Sequence, residues 1–86
     1  MINNNQNPVA WALLLTELDE AREHLDSLTE KMIGAGAIED SVFSVDLGHI
    51  YAHLNRAWHS RNQDAEISDT QWSAFSQFPK DISPVG

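Results

Sequence analysis

Residues 8–33 read PVAWALLLTELDEAREHLDSLTEKMI, and within them Trp11, Leu14, Leu18, Ala21, Leu25, Leu28 and Met32 recur at alternating intervals of three and four. That alternation is the heptad spacing of a helix packed lengthwise against another helix. Asn7 can cap the first free amide groups, and proline at the first helical position gives up no needed hydrogen bond. Leu, Ala, Glu and Arg fill the stretch, all strong helix formers, until Gly34-Ala35-Gly36 offers the left-handed conformation that ends a helix. A first helix is therefore expected over about residues 8–33.

Outward from it, Asp40 or Ser41 can cap a second helix of about residues 40–62, whose seam runs Phe43, Leu47, Ile50, Leu54 and Ala57. Arg56, His59 and Arg61 fall in its last turns, where the helix dipole favours positive charge. The short connection folds the two helices into an antiparallel hairpin. Ser68 or Asp69 can start a third helix of about residues 69–78, in which Trp72, Phe75 and Phe78 recur every third residue and Pro79 is the stop. The expected fold class is all-α: a disordered polar N-terminus (1–7), one helical domain (8–78) and an irregular tail (79–86).

At 86 residues a monomeric core is marginal, and the absence of cysteine removes disulfides and thiolate metal sites. Oligomerisation is the remaining way to stabilise a chain of this size. Val9 to Leu15 is apolar nearly all round, with Leu13 and Leu15 flanking the seam, while Val42, Val45, Tyr51 and Trp58 widen the apolar surface of the second helix. Gly48 and Ala52 add a strip of small residues, and glycine within a helix suggests a close helix approach or a nearby ligand. These features predict a homodimer resembling a four-helix bundle, with Trp11, Leu13, Leu15, Gly48, Tyr51, Ala52 and Trp58 at its interface. Within the hairpin, residues whose numbers sum to about 72 should lie opposite one another. Leu25 then faces Leu47, Leu18 faces Leu54, and Trp11 comes near Trp58, where Trp72 would join them as aromatic core.

Thirteen acids against five bases give a formal net charge of −8, which argues against binding nucleic-acid phosphates or anionic lipid. The start, Met1-Ile2-Asn3-Asn4-Asn5-Gln6-Asn7, has neither the charge nor the apolar run of a signal sequence, and no span is expected to cross a membrane. A cytoplasmic location follows as the expectation. Glu17, Asp19, Glu20, Glu23, Asp26 and Glu30 are expected on the outer face of the first helix, against only Arg22 and Lys31. Such a face is ordinarily just solvated, but it would also steer a basic partner, as an acidic inhibitor does.

The main chemical constellation is the ridge Asp46, His49 and His53, three and four residues apart on one helical face. The pairing rule places Glu20 and His24 beside His49 and His53, and Glu17 close to Arg56. Imidazoles and carboxylates from facing helices are the donors with which bundles hold Zn, Fe or Mn. Glu17 or Glu20 with Asp46-Leu47-Gly48-His49 loosely resembles the ferritin-like carboxylate proteins, in which a Glu on one helix meets Glu-x-x-His on another. The resemblance covers only these residues; Asp46 stands where the longer Glu belongs, and the ridge flanks the apolar seam instead of occupying it. No glycine-rich phosphate loop, cysteine nucleophile or Ser-His-acid spacing is present, and the adjacent His59 and Ser60 point apart on a helix. The expected function is a non-catalytic protein-interaction module without a cofactor, with a metal-binding helical bundle as the alternative and an acidic inhibitor of a basic protein as the second.

Overall fold

The computed structural model describes residues 1–86 and is all-α: α1 (Pro8–Ala35), α2 (Asp40–His59) and α3 (Asp69–Phe75). The Asn7 side chain accepts from the Ala10 amide at 3.2 Å, and Gly36 ends α1 in the left-handed region at φ 70°, its N–H returning to the Met32 carbonyl. Glu39, not Asp40 or Ser41, is the residue preceding α2, and its side chain makes no capping bond. Ser68 begins α3 with a full capping box: its hydroxyl accepts from the Gln71 amide while the Gln71 side chain accepts from the Ser68 amide. Asn3 forms a turn of its own, accepting from the amides of Asn5 and Gln6. No helix is long and apolar enough to cross a membrane.

Two helices end earlier than periodicity predicts. The Arg61 guanidinium donates to the Trp58 carbonyl at 2.7 Å, taking the acceptor that an Asn62 amide would need for α2 to continue. At the end of α3, the Gln77 amide turns to the Ala74 carbonyl three residues back at 3.2 Å instead of continuing the ladder to Ser73, and Pro79 disfavours helical geometry at Phe78. α1 instead runs two residues past Ile33, to Ala35.

α1 and α2 pack as the expected long antiparallel pair, and α3 lies against α2 alone. The surface of α1 turned toward α2 carries buried Ala10, Glu17, Ala21 and Leu28, with half-buried Leu14 and His24 between them. This row recurs at four and three like the predicted seam but is rotated from it. Leu18, Leu25 and Met32 are consequently 44, 49 and 39% exposed, and Leu54 of α2 is 42% exposed. The only buried apolar residues are Ala10, Ala21, Leu28, Ile50 and Ala57, three of them alanines, and Glu17, His53, Asn55, Arg56 and Ser60 are buried with them. The interior is thus as polar as it is apolar. That composition explains why the helices meet but bury little oily surface.

At about 100° per residue, Leu14, Leu18, Leu25 and Met32 lie to one side of the α1 contact line, and Leu13, Glu20, His24 and Lys31 to the other. The same projection on α2 separates Leu47, Tyr51, Leu54 and Trp58 from Asp46, His49, His53 and Arg56. Because the helices run antiparallel, like sides coincide. The hairpin therefore has an apolar flank and a polar flank.

Candidate functional site

On the polar flank, the rings of His24, His49 and His53 converge, with centroids 4.1 Å apart for His24–His49, 5.2 Å for His24–His53 and 4.9 Å for His49–His53. His24 comes from the middle of α1, and His49 and His53 are one turn apart on α2. Each of the three offers a ring nitrogen within 4.8 Å of the others'. His49 is exposed, but partial desolvation by its neighbours, then the imidazoles of His24 and His53, push its pKa below the ordinary histidine value, with Glu20 opposing. A neutral imidazole, the form able to ligate a cation, is favoured there.

His53 is buried, and its two nitrogens are treated differently. Nδ1 lies 3.2 Å from Glu17 Oε2 and 3.4 Å from Glu20 Oε2, whereas Nε2 is buried with no hydrogen-bond partner. Arg56 Nη2 also approaches Nδ1, at 3.1 Å. The two carboxylates need a donor and favour the tautomer with the proton on Nδ1 and a lone pair on Nε2, against Arg56 Nη2, which can only donate and favours a bare Nδ1.

Arg56 joins this cluster to the rest of the fold. Its Nε donates to both oxygens of buried Glu17, at 3.2 and 3.1 Å, and Nη1 donates to Ser76 Oγ at 2.8 Å. The guanidinium carbon sits 3.9 Å from the centre of the Trp72 ring. Ser76 Oγ in turn donates to the Trp72 carbonyl. One cation thus ties α1, α2 and the end of α3 together.

The expected ligand set is partly assembled. Glu20, His24, His49 and His53 come together, and Glu17 meets Arg56 as the pairing rule predicts. Asp46 does not join them; it accepts from Lys31 Nζ at 2.7 Å, farther toward the hairpin loop. Glu17 also leaves the outer acidic face on which it was expected, because its position falls on the row facing α2. The exposed acids of that face include Asp19, which pairs with Arg22.

The expected interface residues divide. Leu15 and Tyr51 are exposed, and Trp11, Leu13, Ala52 and Trp58 are half-buried. Gly48 is not explained by packing within the chain, since a Cβ added there would meet nothing within 4 Å. The tryptophans do not gather as expected: Trp72 lies against Arg56, while Trp58 takes the Arg61 guanidinium on its face at 3.8 Å and donates its ring N–H to Asp81 at 2.9 Å. That bond holds the tail along α2 and outlines an open, mainly apolar groove of about 470 Å³ between Tyr51, Leu54, Trp58 and Phe78, Pro79, Ile82. Ser76, Asn55 and Asp81 were not identifiable as site residues beforehand. The only signal was Arg56, whose five donors exceed what one opposing carboxylate can accept.

The chain matches no known protein family, and no curated protein or solved structure is significantly similar to it.

Proposed function

We propose that this chain is a non-catalytic helical interaction module that pairs with a second copy of itself through the apolar flank of the hairpin. The observation that supports this reading is the half-exposure of Leu18, Leu25, Met32, Tyr51 and Leu54, each between 39 and 49% accessible and all on one side of the two helices. The tail reaches this row only at its α2 end, where Phe78 and Ile82 lie beside Tyr51 and Leu54, and it leaves Leu18, Leu25 and Met32 of α1 open; contiguous apolar surface of this kind marks an interaction site. The small buried core argues in the same direction, because five buried apolar residues, three of them alanine, are too few to hold an 86-residue chain on their own. Two copies related by a two-fold axis would place flank against flank and complete a four-helix layer pair. The −8 charge keeps the remaining surface solvated.

The test is the Leu25→Glu, Leu54→Glu double variant, compared with the unaltered chain by sedimentation and far-ultraviolet circular dichroism. The unaltered chain should sediment as a dimer, and the variant should fall to monomer mass or lose helix. An unaltered chain that is monomeric and fully helical would refute the pairing.

A further inference from the structure

We infer that His24, His49 and His53 form a three-imidazole binding site for a divalent transition cation of the zinc type, with Glu17 as the carboxylate that orients His53. This goes beyond the interaction reading and does not depend on it, since every group comes from one chain. Three observations carry it. The three rings converge from two helices with ligand atoms within 4.8 Å of one another. His53 is 4% exposed, yet its Nε2 is buried without a partner, an arrangement that otherwise costs free energy. Its other nitrogen is in contact with Glu17 and Glu20 as well as with the donating Arg56 Nη2, and the two carboxylates supply the pairing by which metal-ligating imidazoles are held in the correct tautomer.

The charges favour a cation over an anion. Glu17 and Glu20 contribute two negative charges beside the rings and Arg56 one positive charge, so neutral imidazoles leave the pocket net negative. Imidazole donors suit zinc, copper, nickel and iron, while calcium and magnesium require oxygen cages. Three nitrogens leave one tetrahedral position, which water can fill. A second combination, Glu17 and Glu20 with His53, is also close enough to hold an ion. Glu17 is already bound through both oxygens to Arg56, however, and using it as a ligand would leave a buried guanidinium without its partner. The imidazole set has no such conflict.

The experiment is calorimetric titration of the untagged, chelator-treated chain with zinc, and separately with cobalt while the visible spectrum is recorded. One ion per chain and the intense visible bands of tetrahedral cobalt are expected. His49→Ala, at an exposed position, should weaken zinc binding by more than the roughly 10- to 100-fold that loss of an outer carboxylate costs, and Glu20→Gln by about 10-fold, the low end of that range, because Glu17 still holds His53. His59→Ala, whose ring stacks on Phe75 away from the site, should leave binding unchanged. Failure of the unaltered chain to bind zinc stoichiometrically would overturn the site. So would binding that survives His49→Ala or is abolished by Glu20→Gln, which would move the ion to the carboxylates. Oligomeric mass measured with and without zinc reports separately on pairing through the apolar flank.

Discussion

Arg56 is the residue on which the most interactions depend. Burying it with Glu17 removes two charges from water, and the attraction between them offsets that cost only with good geometry and further bonding partners. The bonds to Glu17 and Ser76 and the Trp72 face supply those partners. Breaking the pair from one side should therefore cost more than the pair is worth: Glu17→Ala is expected to destabilise the chain by roughly 3–5 kcal/mol in urea denaturation. Arg56→Lys should also be clearly destabilising, because an ammonium cannot reproduce the planar fork that reaches Glu17 and Ser76 together. Near-neutral values for both would show that this network does not hold the helices. The residue scale was partly legible in advance. Antiparallel register alone puts Glu17 opposite Arg56 and His24 opposite His49, but Ser76 arrives by a chain reversal that no local pattern encodes.

At the scale of elements, the periodicity of residues 8–33 established that α1 is amphipathic but not which azimuth meets α2. Leu18 and Leu25 repeat as regularly as Ala21 and Leu28, and a heptad pattern is unchanged by rotating the helix about its axis. What sets the rotation is the polar set: with Glu17 and His24 turned inward to meet Arg56, His49 and His53, the leucines move to the side. Helix ends were legible where a cap or glycine marks them, as at Asn7, Gly36 and Ser68, and illegible where a side chain or a tightened last turn takes the carbonyl, as at Trp58 and Ala74. Gly48 provides a test within α2. With open space around its Cβ, Gly48→Ala should raise stability by about 0.8–1.0 kcal/mol in a monomer or in a dimer paired through the apolar flank. A destabilising result would place a second copy on the Gly48 face instead.

The tail is an element with its own pH dependence. The Trp58 N–H, together with weaker influences of Arg61 and His59, holds the Asp81 pKa below its ordinary carboxylate value of 3.8. A depressed folded pKa means that the Asp81 contact stabilises the docked tail above the ordinary value and is lost as pH falls through the lowered one. Trp58 should thus change its fluorescence on acidification below about pH 4, and Asp81→Asn should remove that step. A transition that persists in the variant would belong to another group.

At the scale of the whole molecule, the two flanks divide the work of a thin structure. The extents of 46 × 30 × 23 Å and the small apolar core describe a hairpin with a short cover on one end, not a closed bundle. On the polar flank, ions and imidazoles fix register; on the apolar flank, leucines remain half-exposed. Covering that flank with a second copy is the central claim, and mass against concentration tests it most directly. Light scattering from the unaltered, zinc-free chain should give twice 9.6 kDa at high concentration, with dissociation and loss of helix together on dilution. A constant mass of one chain, with helix content undiminished across the same range, would contradict it.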